Sequence, residues 1–364
     1  MILLLGAPVK AQKPDDFDTL AYINPLIGCS NGGNVFPGAS LPYGKAKAVA
    51  DTNSRERQGG FTMDGANITG FSMMHDSGTG GNPSLGNFPI FPYTSCPEND
   101  INRCVFPKRG RAAFGSFDDA TVFAKPGTFS ITLDSGIVVE MTTTHHAALF
   151  RFTFPKSYDA YGNQMAQRAL ILQDLTDLSD SRQDNATITV NHETGRITGS
   201  ARFLPSFGSG SYVLHFCTDF MGADIFDSGI FVDSRASTAV KTLTISRSIN
   251  GYPLPGGAFV RFGSSQKPIL VRIATSFISI NKACEHAERE IPDFNFDDVS
   301  ETAYEVWRDK MKTIRVSPKG VNGSMLTNFY SGIYRTMINP QNYTGENPIW
   351  SSTEPYFDSF YWYA

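Results

Sequence analysis

The sequence predicts a mainly β protein, a large antiparallel β-sandwich that is followed by helices. From about residue 19 to residue 280, short runs alternate apolar and polar side chains with a period of two, as in residues 128–133 and 149–154. Turn-forming clusters such as residues 134–136 separate these runs. After residue 298 the apolar side chains recur at helical spacing instead. Many short strands with frequent turns are typical of a sandwich.

Length and composition agree with this fold class and exclude two kinds of partner. The 364 residues are enough for about two domains of average size. Because 31 basic side chains face 35 acidic ones, the net charge is −4 and there is no basic excess to bind nucleic acid. No stretch approaches the roughly 20 apolar residues that a bilayer-spanning helix needs. We therefore expect neither a nucleic acid partner nor a membrane partner.

Individual strands can be read from the same pattern. Residues 186–190 and 259–262 alternate as a half-buried strand does. Residues 269–273 are almost continuously apolar, which predicts a strand that is covered on both faces.

Two helices are predicted near the C-terminus. Residues 298–314 place apolar side chains at helical spacing, and Asp298 with Glu301 resembles a capping box at its start. Residues 326–337 form the second helix, which ends near Pro340. Its aromatic stripe is more typical of core packing than of a ligand platform.

The N-terminal residues 1–18 have two possible interpretations. A short apolar run and the sequence Val9-Lys10-Ala11 resemble the end of a secretory leader, but no basic segment precedes them. The alternative is an ordinary disordered N-terminus. We expect a secreted or extracellular protein, with a cytosolic location left open.

The cysteines and glycosylation sequons are compatible with secretion. Cys96 and Cys104 flank a polar loop of hairpin length, so they are predicted to form a disulfide if the compartment is oxidising. With five cysteines in the chain, one thiol must stay unpaired, and the spacings match no zinc-binding pattern. Asn-X-Ser/Thr triplets make four asparagines possible glycosylation sites: Asn67, Asn185, Asn322 and Asn342.

Residues 59–92 are the best candidate for a site-bearing loop. His75 and Asp76 place an imidazole beside a carboxylate, followed by the hydroxyl of Ser77 and the flexible backbone of Gly78. These groups suit hydrogen bonding to sugar hydroxyls. The alternative interpretation is a His-Asp pair that only fixes a tight turn.

This loop and the segment before it resemble a known family. The runs NPLIG, NGGNVFPGA and LPYGKAKAVAD in residues 22–52 are followed by GFSMMHDSGTGG and SLGNFPIFP in residues 60–92. In this order they closely resemble the N-terminal domain of glycoside hydrolase family 92, the exo-acting, calcium-dependent α-mannosidases. The resemblance continues, less strongly, to the C-terminus.

The resemblance implies a domain organisation. A β-sandwich of the supersandwich type would occupy residues 19–284 and a helical linker residues 285–320. Residues 321–364 would be the start of an (α/α)6 barrel, the catalytic domain. Mannose-containing glycans are the implied partner and Ca²⁺ the implied cofactor, with most of its ligands outside this chain.

The resemblance also implies which residues reach the terminal sugar. Phe61 would stack on a pyranose face, although a core phenylalanine is an equally good interpretation. His145 and His146 are poor metal candidates, because adjacent strand residues point to opposite faces, and the metal ligands stay unknown. The predicted substrate-binding residues are Gly60, Phe61, His75, Asp76, Ser77, Gly78 and Asp358.

The C-terminus departs from the family pattern. The family continues past residues 354–361 with a Trp-Asp pair, whereas this chain ends Trp362-Tyr363-Ala364. We therefore expect a truncated barrel that lacks the general acid and general base, and we assign no catalytic residue. The remaining candidate carboxylates, more typical of turn caps or exposed side chains, are Asp51, Asp64, Asp76 and Asp358.

Two functions follow from these expectations. The first is an α-mannosidase that, in full-length form, removes terminal mannose from N-glycans or mannans. The alternative is a non-catalytic sandwich that binds carbohydrate or packs against a partner. In either case the apolar face of the helix at 326–337 would lack its barrel neighbours, which favours self-association.

Overall fold

Two antiparallel sheets and a group of helices make up the protein in the computed structural model. The structure describes residues 17–54, 58–77, 85–156, 161, 168–205, 210–246, 251–264, 267–352 and 354–358. The mainly β fold class predicted from the sequence is confirmed. Gly78 and residues 1–16 lie outside the described residues.

The first sheet has eight strands among the described residues. In spatial order these are β1 (Ala39–Ser40), β2 (Lys47–Thr52), β3 (Ile68–Ser72), β4 (Ile90–Tyr93), β9 (Leu170–Asp174), β16 (Gly256–Phe262), β13 (Ile225–Val232) and β14 (Arg235–Ser237).

The second sheet has nine strands in the described part of the chain. Their order is β15 (Thr242–Ile245), β10 (Ala186–Val190), β11 (Ile197–Phe203), β12 (Tyr212–Met221), β17 (Ile269–Ser276), β8 (Ala147–Thr153), β7 (Val138–Thr143), β6 (Thr128–Thr132) and β5 (Phe123–Lys125). A separate ribbon pairs β18 (Gln341–Asn342) with β19 (Phe357–Asp358).

Aromatic side chains fill the space between the two sheets. Phe71 of β3 meets Phe152 of β8 edge to face, with ring centroids 6.0 Å apart. Such pairs stabilise a core by about 0.5–1.5 kcal/mol beyond the area they bury. The alternating runs of the sequence therefore face inward from both sheets.

Four α-helices lie in the described residues: α1 (Lys108–Arg111), α2 (Ile280–Glu290), α3 (Phe296–Met311) and α4 (Gly323–Arg335). Helix α2 packs on β8 and β17, where Ala287 joins Leu149 and Ala274 in a second apolar cluster. This helix covers the outer face of β17, where Leu270 and Ala274 are apolar and Arg272 is buried in an ion pair with Asp219.

The helix boundaries differ from the predicted ones for local reasons. Helix α3 begins two residues earlier than predicted, because Asn295 is its N-cap and its side chain accepts from the backbone N–H of Asp298. The predicted capping box of Asp298 and Glu301 is therefore wrong. Helix α4 is capped by the sequon residue Asn322. The predicted domain boundary at residue 284 falls inside α2, after the last sandwich strand has ended at Ser276.

Helix α4 has one buried face and one exposed face. Leu326, Tyr330 and Tyr334 are buried, as the core interpretation of the aromatic stripe expects. Met325 and Phe329 are 65% and 42% exposed on the opposite side. Self-association through this face stays a prediction.

Two disulfides stabilise the described residues. Cys96 pairs with Cys104 across the polar loop, and Cys217 of β12 pairs with Cys284 of α2. The remaining cysteine, Cys29, is buried, and burial raises the pKa of its thiol to about 12. The second disulfide fixes the helical segment to the sandwich.

The two disulfides should contribute unequally to stability. They close loops of 8 and 67 residues, and loop-closure entropy predicts about 2.5 and about 4 kcal/mol for them. Replacing Cys217 and Cys284 with alanine should therefore lower the free energy of unfolding more than the matched replacement of Cys96 and Cys104. Urea denaturation of the two double variants checks this. An equal or reversed order would contradict it.

Candidate functional site

The side chain of His75 belongs to a network of buried polar groups. His75 follows β3, and its side chain is buried. Its Nδ1 is 2.8 Å from the carbonyl oxygen of Lys47, and its Nε2 is 2.7 Å from Oδ1 of Asp51. Because a carbonyl only accepts, Nδ1 carries a hydrogen. Asp51 is thus a buried partner of His75, which corrects the expectation of a cap or exposed residue.

Gly60 lies against the His75 ring, and the next residue, Phe61, lies in the core. A Cβ atom on Gly60 would lie 2.6 Å from Cδ2 of His75, and the φ of Gly60 is +87°, so only glycine fits there. Phe61 is fully buried and packs against Phe117 and Phe129, with centroid distances of 5.6 and 5.2 Å. With both ring faces in the core, Phe61 has no surface to stack on a sugar. The core interpretation of this residue replaces the stacking one.

Asp76 and Lys47 form the other side of the network, and both are buried. Burial lowers the pKa of Lys47, and the charge of Asp76 opposes this shift. The ammonium group of Lys47 also donates to the side-chain oxygen of Asn339, beyond helix α4. Ser77 is partly exposed and is the last described residue before Gly78.

A second polar network joins the sandwich to the helical segment through Lys45 and Glu346. The Lys45 Nζ is 3.1 Å from Oε2 of Glu346 and 2.6 Å from the carbonyl oxygen of Thr275. Burial disfavours the charge on Glu346. The Lys45 charge and a 2.6 Å hydrogen bond from Nε2 of His286 outweigh burial, so the pKa of Glu346 is lowered.

Two stacked imidazoles extend this network. The rings of His146 and His286 are 4.1 Å apart and nearly parallel. The Nδ1 of His146 donates to Glu290 over 2.6 Å. Burial lowers the pKa of His146, and the hydrogen bond to Glu290 opposes that shift. His145 and His146 lie in the turn between β7 and β8 rather than on a strand, and His146 alone joins the cluster.

The cluster of potential metal ligands found among the described residues does not fit calcium. One group of three potential metal ligands lies within them, His146, His286 and Glu346, with ligand atoms within 4.8 Å of one another. Two of the three donors are nitrogen, whereas Ca²⁺ takes six to eight oxygen ligands. Both Glu346 oxygens already accept hydrogen bonds, from Ser276, Phe277 and His286, and pair with Lys45. The cluster serves as a hydrogen-bond network.

The segment around Glu346 is held on the sandwich by backbone bonds as well. The N–H of Tyr43 donates to the carbonyl of Met337 over 2.7 Å, and the N–H of Asn342 donates to the carbonyl of Tyr43 over 2.8 Å. Asp358 belongs to the short ribbon, where its backbone pairs with Gln341. Asp64 caps a loop by accepting from the N–H groups of Asn31 and Gly32, as a turn cap does.

Sequence reasoning missed the second network. Lys45 and Lys47 alternate with Ala46 and Ala48 in a run of small residues that enters β2. Two lysines at alternate positions of a buried run signal buried charge partners. The partner Glu346, 301 residues away, leaves no local signal.

Comparisons with known proteins agree with this architecture. Residues 22–276 match the glycosyl hydrolase family 92 N-terminal domain, and residues 282–363 match the glycosyl hydrolase family 92 catalytic domain. A relative from Arthroderma benhamiae, named an uncharacterized secreted glycosidase, is 48% identical over 363 residues, which cover 98% of this chain and 46% of the relative.

Solved structures share the fold at low sequence identity. The family 92 glycosyl hydrolase ccman5 superposes with a TM-score of 0.77 at 18% identity, covering 94% of this chain and 45% of its own. A family 92 α-mannosidase from Bacteroides thetaiotaomicron gives 0.73 at 20% identity, with coverage of 94% and 45%. The chain belongs to glycosyl hydrolase family 92 and spans a little under half the length of these relatives.

The helices among the described residues are all too short or too polar to cross a bilayer.

The Lys45–Glu346 pair should be essential for stability. Glu346→Gln leaves the Lys45 ammonium buried without its counter-charge, and we expect the free energy of unfolding to fall by about 3–5 kcal/mol. Glu285→Gln is the matched control, because Glu285 forms an exposed pair with Lys282 and should cost below about 1 kcal/mol. Urea denaturation measures both. Equal effects of the two variants would refute the role of the pair.

Stability should also depend on pH through His146. Because its folded-state pKa is lowered, the folded protein binds fewer protons than the unfolded chain below about pH 6.5, the ordinary histidine value. The stabilisation is therefore complete above that pH and is lost as the pH falls below it. We expect urea midpoints to decline from pH 7 to pH 5, and less so for His146→Asn. The exposed His192 gives a control variant, His192→Asn, that keeps the wild-type slope.

Proposed function

We propose that this chain is the sandwich domain and the first part of the catalytic domain of a secreted α-mannosidase, which removes terminal mannose from N-glycans or mannans. The match to both family 92 domains supports the proposal. Similar solved structures include an α-mannosidase in complex with mannoimidazole and an inverting mannosidase, both from Bacteroides thetaiotaomicron. Secretion agrees with the name of the Arthroderma relative and with two disulfides, which persist in oxidising compartments.

The buried Lys45–Glu346 pair is the observation that carries the proposal. Glu346 lies in the part of the chain that matches the catalytic domain, and Lys45 lies in the sandwich. An ion pair buried across this boundary fixes the position of the catalytic segment on the sandwich. The His75 network is fixed to the same segment through Lys47 and Asn339. The contribution of these residues is positioning, since their side chains are buried and do not reach a sugar.

Inverting hydrolysis needs a carboxylic acid and a carboxylate about 6.5–9.5 Å apart in one open cleft. The acid protonates the leaving oxygen, while the carboxylate takes a proton from the attacking water. The buried carboxylates of the described residues instead face cations or hydrogen-bond donors: Asp51, Asp76, Asp174, Asp177, Asp219 and Glu346. The proposal therefore assigns the acid and the base to catalytic-domain residues beyond this chain, and calcium to oxygen-rich ligands there.

A carbohydrate-binding role without catalysis is the second candidate. It is favoured by one observation, an open cavity on the sandwich that is lined by charged and apolar side chains and by none of the junction residues Lys45, Lys47, Asn339 and Glu346. The two functions differ in one measurable result, the release of mannose.

Mannose release tests the proposal directly. With α-1,2-mannobiose and Ca²⁺, the 364-residue chain should release no mannose, because the proposal assigns the acid and base to residues outside it. A chimera that continues this chain with the unmatched C-terminal part of the Arthroderma relative should release mannose, and a calcium chelator should abolish this. Activity of the 364-residue chain would contradict the assignment of the acid and base. An inactive, folded chimera beside an active intact relative would contradict the proposed function.

A further inference from the structure

A cavity of about 530 Å³ opens on the first sheet, away from the two networks described above. It lies where β9 ends and β16 begins. Its walls come from Lys108 of α1, from Asp174 at the end of β9, from Asp180 in the segment that follows β9, and from Tyr252 in the segment before β16. The volume is large enough for one or two pyranose rings.

The floor of the cavity is polar and firmly held. Asp174 forms an ion pair with Arg111 over 2.8 Å, and both side chains are buried. Arg182 is only 1% exposed and lines the cavity. Its terminal nitrogens donate to the carbonyls of Leu175 and Leu254 over 2.8 and 2.7 Å. Its Nε is buried and finds no hydrogen-bond acceptor in the described part of the chain.

The rim combines a fixed charge pair with an aromatic ring. The Lys108 ammonium is 2.5 Å from Oδ1 of Asp180 and 2.8 Å from the carbonyl oxygen of Asp177, which holds it in place. Tyr252, between Gly251 and Pro253, is 76% exposed. An exposed aromatic ring beside charged side chains offers an apolar face to the C–H side of a sugar.

The charged side chains of the cavity indicate which class of ligand it can bind. Lys108 and Arg182 donate hydrogen bonds, while Asp174 and Asp180 only accept them. Arg109 also lines the cavity, so cations and carboxylates are both present. A phosphate only accepts hydrogen bonds, so it could pair with the cations but not with the carboxylates. A neutral polyol both donates and accepts through each hydroxyl, so it suits a lining of mixed sign. An apolar ligand would make no hydrogen bond to these groups.

The position of the cavity relates it to the catalytic junction. Strands β2, β3, β4 and β9 are neighbours in one antiparallel sheet, so the start of β2 and the end of β9 lie at the same edge. Lys47 begins β2 and Asp174 ends β9. Three strand spacings of about 4.8 Å separate them, about 14 Å in all. A branched glycan can span that distance.

We propose that this cavity binds a non-terminal pyranose unit of the glycan substrate, with Tyr252 stacking on the ring and Arg182, Asp174 and Asp180 bonding its hydroxyls. The assignment of the ligand to the substrate rests on the proposed mannosidase function. The binding itself does not, since it requires only the described cavity.

Ligand-observed NMR titration of the 364-residue chain with α-1,2-mannobiose tests the site. Tyr252→Ala should weaken binding about tenfold, because the stacking surface is lost. Tyr252→Phe keeps the ring and should bind within about twofold of the unaltered chain. Tyr161→Ala is the matched control, because Tyr161 is 91% exposed and does not line the cavity. Circular dichroism and thermal melting of each variant should match those of the unaltered chain.

Three results would overturn the inference. They are the absence of any mannobiose binding, equal affinity of Tyr252→Ala and Tyr161→Ala, and displacement of mannobiose by inorganic phosphate at lower concentration than by methyl α-mannoside.

Results that contradict the proposed mannosidase function differ from results that contradict the sugar site. In the active chimera, Tyr252→Ala should raise KM for a mannose oligosaccharide but leave hydrolysis of a small aryl mannoside unchanged. If the chimera cleaves nothing while mannobiose binding still depends on Tyr252, the cavity is a sugar site of a non-catalytic protein.

Discussion

The architecture depends on a buried ion pair between Lys45 and Glu346, which connects the sandwich to the segment of the catalytic domain. Both side chains are completely removed from solvent. Desolvation of two charges is costly, and it is offset here because Glu346 accepts from four groups and Lys45 also donates to a carbonyl. Such a pair tolerates little displacement. It therefore fixes one relative position of sandwich and helical segment.

The same segment of the chain carries a second fixed contact. Lys47 lies two residues after Lys45, donates through its side chain to Asn339 and offers its backbone carbonyl to His75. Gly60 and His75, which were predicted to bind sugar, are thus structural supports. Gly60 leaves room for the His75 ring, and His75 hydrogen-bonds to Asp51. Polar residues beside a glycine-rich loop do not by themselves distinguish a binding surface from its foundation.

The fold could be predicted from the sequence much further than the site. Period-two alternation identified the strands, and the apolar run at 269–273 correctly indicated a strand covered twice, since α2 covers its outer face. The sequence signal for a helix N-cap gave the wrong residue where two capping residues lie close together, because Asn295 caps α3 in place of Asp298. Pairs such as Cys217–Cys284 and Lys45–Glu346 join residues far apart in sequence. The spacing of apolar residues predicts single elements, but it does not indicate which distant elements contact each other.

The sheet edge that carries these contacts explains why binding features concentrate there. Strand ends at one edge of an antiparallel sheet expose backbone groups that the ladder does not satisfy, so connecting segments and side chains must supply partners. Beyond the end of β9, Arg182 donates to the backbone carbonyls of Leu175 and Leu254. At the start of β2, the side chains of Lys45 and Lys47 pair instead with Glu346 and Asn339 of the catalytic segment. One edge thus supports both the junction and a hydroxyl-binding cavity, and the rigid sheet between them fixes their separation.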